Sequence, residues 1–360
     1  MTDSASLLSP PTATIIAEDA ERGLTLSAVP ELRDEFVTLI EQATFGTSGL
    51  RYRRLDVASQ IERLPDPTFI EMRRNDELVG TYVLAGSQLS FEGMQIRGVY
   101  RALLTVTEQE TGNGLGRWMM SNTLDWVGRR AGETGESVMT WGCVEERNEP
   151  SLHLLQSLGL EKLGALESMM VYRQWPRPEP RISEVDAELL GAVTEGRDAT
   201  VKDCGLTQQV DTDWLALVVD GEIKVAARAA LVRVNMETIG GFWDSAYRHL
   251  LRYVPPARLR FNPENFSYVR ISDPVVQPDG IGLWADFISG LMARCDTHMA
   301  MFVLDPRSRA RRLLNHGRVF GRLGRATRQS IHVIANSWNM DADAFARMRA
   351  APLGLGPLDI

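Results

Sequence analysis

Lysine is nearly absent from this 360-residue chain, standing only at 162, 202 and 224. Positive charge is therefore almost all arginine, the bias of a high-GC, bacterial coding sequence. Cysteine is as scarce. Cys143, Cys204 and Cys295 are too few and too far apart for a disulfide framework or a metal-binding pattern, which fits a reducing, cytoplasmic setting. The histidines include no His-x-x-x-His pair, so no metal is expected. No apolar run approaches the ~18 residues a transmembrane helix needs. Met1 to Glu21 lacks the basic segment of a signal peptide. The net charge of −8 argues against nonspecific nucleic-acid binding and suits a cationic amine as partner.

What the chain does have is a glycine-rich turn between a strand and a helix. Thr105-Val106-Thr107 is β-branched, Gly112, Gly114 and Gly116 alternate, and an apolar helical pattern follows from Leu115. Glycine is needed where the backbone takes φ > 0 or approaches a ligand closely. A helix beginning there turns its free N–H groups and positive dipole end into the loop. That is an anion site, suited to phosphate or pyrophosphate; a plain flexible turn would read the same way. A Walker loop would need Lys and Ser/Thr where Arg117 and Trp118 stand. The Gly112-x-Gly114-x-Gly116 spacing is not the dinucleotide-binding G-x-G-x-x-G.

Thr111 to Gly116 resembles the acyl-CoA pyrophosphate loop of the GNAT N-acyltransferase superfamily, Arg/Gln-x-x-Gly-x-Gly/Ala followed by a helix. Gly114 and Gly116 fill the glycine slots, while Thr111 departs from Arg/Gln. A second signature of that family, Asn-x-x-Ala/Ser-x-x-Leu-Tyr-x-x-x-Gly-Phe, is matched by Asn148, Ser151, Leu154, Gly159 and Leu160. The resemblance covers about residues 24–175. It implies an α/β fold with a mixed sheet, and acetyl-CoA or another acyl-CoA as cosubstrate. The cofactor-binding residues it implies are Leu104, Val106, Thr111, Gly112, Asn113, Gly114, Leu115, Gly116, Arg117, Asn148 and Ser151. It also implies an amine acceptor, a small molecule or a protein, and is compatible with a homodimer. Leu155 occupies the slot that often holds the tyrosine giving a proton to the leaving thiolate. Leucine has no proton to give, which keeps a noncatalytic, acyl-CoA-binding or regulatory role open.

At this length two domains are expected, since single cores stop growing near ~250–300 residues. Residues 1–22 read as a disordered lead-in and 23–175 as the first domain. A strand over Thr25–Val29, helices over Pro30–Thr44 and Asp56–Leu64, and a hairpin about Asn75-Asp76 lead to the strand that feeds the loop. A helix over Leu115–Arg130, a strand over Val138–Val144, a helix over Asn148–Leu158 and a strand over Ser168–Trp175 complete it. Alternating prolines in Trp175–Pro180 make 176–182 a linker. Residues 183–360 read as a degenerate copy. Leu215–Val219 and Ile223–Ala227 flank Asp220-Gly221, and Tyr268–Ile271 leads to Gln277-x-x-Gly280-x-Gly282 and an apolar helix. Ala300–Leu304, an arginine-rich helix from Asp305 to Asn315 and a strand over Ile331–Ala335 follow. Pro278 removes a donor and Asp279 adds a negative charge, so the first loop is the expected cofactor site. An aromatic-rich insertion within Asn235–Phe266 reads as packed helices or as a wall for the acceptor.

Acyl transfer to an amine needs a base for the amine proton and donors for the carbonyl oxygen. Glu145 and Glu146 follow the Val138–Val144 strand and are candidate bases, against the plain reading of two solvated loop acids. Tyr100 is a candidate proton donor, against that of a core tyrosine. Cys143 reads as a buried strand cysteine, His153 as an exposed helix residue, and Tyr172 as a weaker substitute for the missing tyrosine.

Overall fold

The computed structural model describes residues 8, 12–46, 50–186, 206–209, 214–238, 262–308, 311–312 and 324–354. Its first strands are β1 (Thr14–Asp19), β2 (Leu24–Val29), β3 (Arg51–Arg54), β4 (Pro67–Arg74), β5 (Glu77–Phe91), β6 (Met94–Val106), β7 (Val138–Glu145) and β8 (Glu161–Tyr172). There follow β9 (Ile182–Val185), β10 (Leu206–Gln209), β11 (Trp214–Val219), β12 (Glu222–Thr238), β13 (Phe266–Val276), β14 (Met299–Leu304), β15 (Gly324–Trp338) and β16 (Leu353–Gly354). The helices are α1 (Asp34–Gln42), α2 (Val57–Glu62), α3 (Leu115–Thr134), α4 (Glu149–Ser157), α5 (Trp284–Arg294) and α6 (Ala342–Ala350).

Local chemistry accounts for the turns. Asn75 and Asp76 take φ of 46° and 71°, and Asp220 and Gly221 take 52° and 78°. Two consecutive positive φ values make the tight turn whose twist suits a hairpin. Glu92 and Gly93 do the same at 49° and 83°, so β5 and β6 form a hairpin longer than the sequence pattern predicts. Gly135, at φ 70°, ends α3 by donating its N–H to the Ala131 carbonyl. Asn148 caps α4, its side-chain oxygen accepting from the Ser151 N–H at 3.2 Å.

The described strands form one sheet, along the path β1-β2-β4-β5-β6-β7-β15-β8-β14-β13-β12-β11-β9. One face of its first part packs on α1 and α2 through Phe36, Ile40, Tyr100 and Trp141. The opposite face packs on α3 and α4 through Tyr82, Met119, Val127 and Leu155. Farther along, α5 buries Trp284, Phe287 and Leu291 against β13 and β14.

Each half of the chain lends a late strand to the other. β15 lies between β7 and β8, and β8 lies between β15 and β14. Ile331–Trp338 pairs with Glu145–Val138, while Glu167–Tyr172 pairs with Leu304–Met299. β3 also crosses over, pairing Arg54 with Val234. The halves 23–175 and 183–360 are therefore joined by ladder hydrogen bonds on both sides of the crossover, an arrangement that hydrophobic pattern alone does not encode.

The lead-in reading needs correction. Thr14–Asp19 is a strand paired with β2, and the buried Leu8 packs beneath it. Ile15 is 60 % exposed, which weakens the alternation by which strands are recognised. The segment 176–181 holds neither helix nor strand, and the Arg177 N–H donates to Ser289 Oγ at 2.8 Å. Most of the aromatic insertion lies outside the described residues. Of the expected arginine-rich helix, 305–308 is turn and bend rather than helix, 311–312 is helical, and the other positions lie outside the described residues.

Candidate functional site

The site begins where two parallel strands part. β6 and β7 pair only from Arg97–Tyr100 to Val138–Trp141, yet β6 runs on to Val106 and β7 to Glu145. The divergence has a local cause. Leu103 takes φ 56°, and the β5–β6 register slips beside it, the mark of a bulge that bends β6 away. The second half repeats the device. β13 and β14 pair only at Val269–Ile271 with Ala300–Phe302, and Asp273 then takes φ 49° where the β12–β13 register slips. The repeat is thus visible in the backbone at positions where the sequences differ.

β6 leads into the glycine loop. A short 3-10 turn over Glu108–Glu110 precedes Thr111, and Gly112 and Gly114 take φ of 86° and 75°. A Cβ on either glycine would meet nothing within 4 Å, so these glycines serve the backbone bend rather than packing. Gly114 is the N-cap of α3, and no side chain caps that end. The Trp118 N–H is the first of the helix to bond back, to the Gly114 carbonyl at 3.0 Å. The amides of Leu115, Gly116 and Arg117 precede it and face the loop. Arg117 is exposed and ties the loop to the end of α4, donating to Ser157 Oγ at 2.6 Å. Glu110 is drawn aside by Arg74 at 2.6 Å and by Asn113 Nδ2 at 3.1 Å. Leu104 and Val106 are half-buried against the α3–α4 core, and Leu115 is buried in it. Asn148 and Ser151 are joined in the α4 cap.

The matching loop of the second half is built differently. A Cβ on Gly280 would collide with the Lys224 carbonyl, so this glycine permits close packing on β12. Asp279 turns to Lys224 Nζ at 2.6 Å, and Lys224 also holds Glu222 at 2.7 Å. Gln277 is 3 % exposed. Behind the loop, Trp284 is fully buried, its ring 5.6 Å from Phe302 and 5.9 Å from Phe287. The sequence motif is present, but its first glycine is packed against β12, while Gly282 is exposed and a Cβ there would meet nothing within 4 Å.

No family model matches the sequence, and no curated protein matches it either. Solved structures do. Saccharomyces cerevisiae N-myristoyltransferase with bound myristoyl-CoA superposes with a TM-score of 0.56 at 9 % identity, over 89 % of this chain and 83 % of that one. A second structure of that enzyme with myristoyl-CoA gives 0.55 at 8 % identity, over 90 % and 82 %. The chain has the tandem GNAT fold. At this identity the likeness shows the fold alone, and the chemistry must be read from the residues.

On the α1–α2 face of the parting strands stand Tyr100, Cys143 and Glu145, by the alternation that puts Trp141 and Cys143 together in that core. Tyr100 is 6 % exposed, with its ring 4.5 Å from that of Trp141. Burial raises its hydroxyl well above the usual phenol range, so it is a proton-bearing group at neutral pH. Cys143, expected to be buried, is half-buried at the edge of that core, and desolvation pushes its thiol up to about 12. Tyr52, on β3, lies within electrostatic reach of both Glu145 and Tyr268. Glu146 is placed elsewhere, 3.8 Å from His332 Nε2. Lys162 Nζ donates to that nitrogen at 3.0 Å, and burial together with Lys162 lowers the His332 pKa. His153 is exposed, as expected, and Tyr172 is 47 % exposed at the far end of β8. Leu155 is 5 % exposed and packs in the α3–α4 core.

On the α3–α4 face, Arg101 lies beside Gly142 and donates Nη2 to the Ile334 carbonyl at 2.7 Å. Sequence reasoning passed over Arg101, Arg54, Tyr52 and Arg270. A signal existed for two of them. Arg101 and Arg270 each interrupt a run of strand residues otherwise suited to burial, and buried arginine is rare without a special partner.

Proposed function

We propose that the protein transfers an acyl group from acyl-CoA to a primary amine, with acetyl-CoA the simplest donor. One observation carries the reading: the cleft between β6 and β7 opens directly onto the glycine loop and the uncapped end of α3. A pyrophosphate at that end would meet the amides of Leu115, Gly116 and Arg117, and the Arg117 charge beside them. A helix end is worth about 0.3–2 kcal/mol to an anion there. Thr111, Gly112, Asn113 and Gly114 shape the approach, and Leu104 and Val106 line the strand along which the acyl arm would run. Glu145 is the better-placed base, because it shares a face with Tyr100 where the amine would enter. Tyr100 keeps its proton and is suited to donating a hydrogen bond. The donor supplies the thioester; the protein orients it and removes the amine proton.

A thiol-release assay with acetyl-CoA and a broad panel of primary amines tests this. Turnover is expected with at least one amine, and Glu145→Gln is expected to lower kcat by about 10²–10⁴-fold, the usual contribution of a general base. Glu146→Gln is expected to change kcat little. No turnover with any amine, in protein that binds acetyl-CoA, would favour the second reading, a noncatalytic acyl-CoA-binding module. Leu155 supports that reading, because it places a buried hydrocarbon where a proton donor often stands.

A further inference from the structure

Arg101 is the first residue of β6 beyond its ladder with β7, and Gly142 is the first residue of β7 beyond it. The arginine does not follow its own strand. It reaches sideways across β7 and donates Nη2 to the Ile334 carbonyl on β15, at 2.7 Å. Gly142 makes room for the crossing: a Cβ there would lie 3.7 Å from Arg101 Nη2 and 3.2 Å from the Arg101 carbonyl oxygen. The guanidinium therefore lies over the point where the strands part. It is on the face of α3 and α4, by the alternation that turns Tyr100 to the other.

Arg101 is 7 % exposed. The groups within its reach are the Ile334 carbonyl, the Tyr82 and Tyr100 hydroxyls and the Cys143 thiol, all uncharged at neutral pH. Among the described residues no carboxylate pairs with it, and its Nε is buried and meets no acceptor. Buried donors are nearly always satisfied, and arginine is rarely buried without a partner. A tie from β6 to β15 uses Nη2 alone and would be served by a neutral donor. What the tie leaves over is a positive charge and an N–H beside the cleft.

We propose that Arg101 receives the leaving thiolate of CoA, holding it as an ion pair at the parting strands. This rests on the acyltransferase reading above. The glycine loop and α3 bring the donor to the α3–α4 face, while Tyr100 and Glu145 stand on the α1–α2 face. An amine that attacks from the side of Glu145 drives the sulfur toward Arg101. Its nitrogen forms a bond to the thioester carbon, the C–S bond breaks with its electron pair on sulfur, and the amine proton passes to Glu145. The guanidinium keeps its own protons, and water protonates the thiolate after release. Arg101 thus supplies, as charge, what Leu155 in the same α3–α4 core cannot supply as a proton.

The test follows the thiol of CoA bound to the full chain. CoA and desulfo-CoA, which lacks the sulfur, are each titrated by calorimetry from neutral to alkaline pH. The thiolate absorbance of the CoA complex is read against that of the desulfo-CoA complex. The bound thiol is expected to titrate about 1–3 pH units below that of free CoA, the effect of an opposite charge close by. Between the bound and free values, CoA then gains on desulfo-CoA by about tenfold for each pH unit. Arg101→Met is expected to abolish that gain and to leave desulfo-CoA affinity unchanged. Arg101→Lys, which keeps the charge, is expected to retain part of it. A thiol that titrates in the wild-type complex as it does in free CoA would overturn the proposal, whether or not the variants fold. So would a lowered thiol that persists in Arg101→Met, or a loss in that variant that desulfo-CoA shares in full, the mark of a structural tie. Protein that binds both ligands with the thiol unshifted leaves the acyltransferase reading standing. Protein that binds neither contradicts that reading, and this proposal with it.

Discussion

Single residues at this site are governed by burial more than by contact with opposite charge. Cys143 is the plainest case. It stands on the same face as Glu145, where a reactive thiol would suit a covalent mechanism, but burial holds its pKa at about 12. The nearby Arg270 and Arg101 oppose the shift and do not cancel it. At pH 8 the thiolate fraction is then on the order of 10⁻⁴, against about a quarter for an ordinary cysteine. Alkylation of Cys143 by iodoacetamide is therefore expected to run at least a hundredfold slower than that of a free-cysteine peptide, on the scale of that ionisation difference. It should quicken about tenfold per pH unit until the titration is passed. Mass spectrometry of the Cys143 peptide follows it, and rapid labelling at pH 8 would show a thiol open to water and ionised. The same logic keeps Tyr100 a proton-bearing group, and the base is proposed to be Glu145 instead.

Elements divide into those whose cause is local and those whose cause is distant. Gly280 shows both aspects. In the sequence it completes Gln277-x-x-Gly280-x-Gly282 and looks like a ligand loop; in the fold it lies against the Lys224 carbonyl with no room for a methyl group. Gly280→Ala is accordingly expected to cost roughly 1–3 kcal/mol of stability through overpacking. Gly116→Ala, whose nearest neighbour would be Val106 Cγ2 at 3.9 Å, is expected to cost much less. Urea midpoints of the two variants compare them directly, and equal losses would contradict the packing difference. The same division marks how far the sequence could be read. Turn chemistry at Asn75-Asp76 and Asp220-Gly221, the Asn148 cap and the glycine stops are short-range, and they were legible. So was the glycine loop as a strand-to-helix turn, since Gly112 and Gly114 take positive φ ahead of an apolar helix. β1 and β3 were not legible, because their faces are half exposed and they gain order from partners: β2 beside one, the distant β12 beside the other.

At the scale of the molecule, the exchanged strands make the two halves depend on each other. Without β15, β7 and β8 would each present an unpaired edge inside the sheet, and without β8 so would β14 and β15. Residues 1–182 expressed alone are therefore expected to aggregate or remain unfolded, and co-expression with 183–360 to restore soluble protein. The intact chain is expected to unfold in one transition by circular dichroism and tryptophan fluorescence. A soluble, cooperatively folding first half would contradict this dependence. The crossover also brings the halves together near the candidate site, since Arg270 from one half stands within electrostatic reach of Tyr100 from the other, while Gly112 and Gly114 keep the backbone of the first loop open. Calorimetric titration of acetyl-CoA into the wild-type chain and a Gly114→Asp, Gly116→Asp variant tests that open loop as the donor site most directly. Two carboxylates beside a pyrophosphate oppose binding by on the order of 1–4 kcal/mol each. Binding to the wild type that is lost in a still-folded variant is the predicted result; binding that survives in the variant would move the donor to another part of the molecule and contradict the assignment of the first loop.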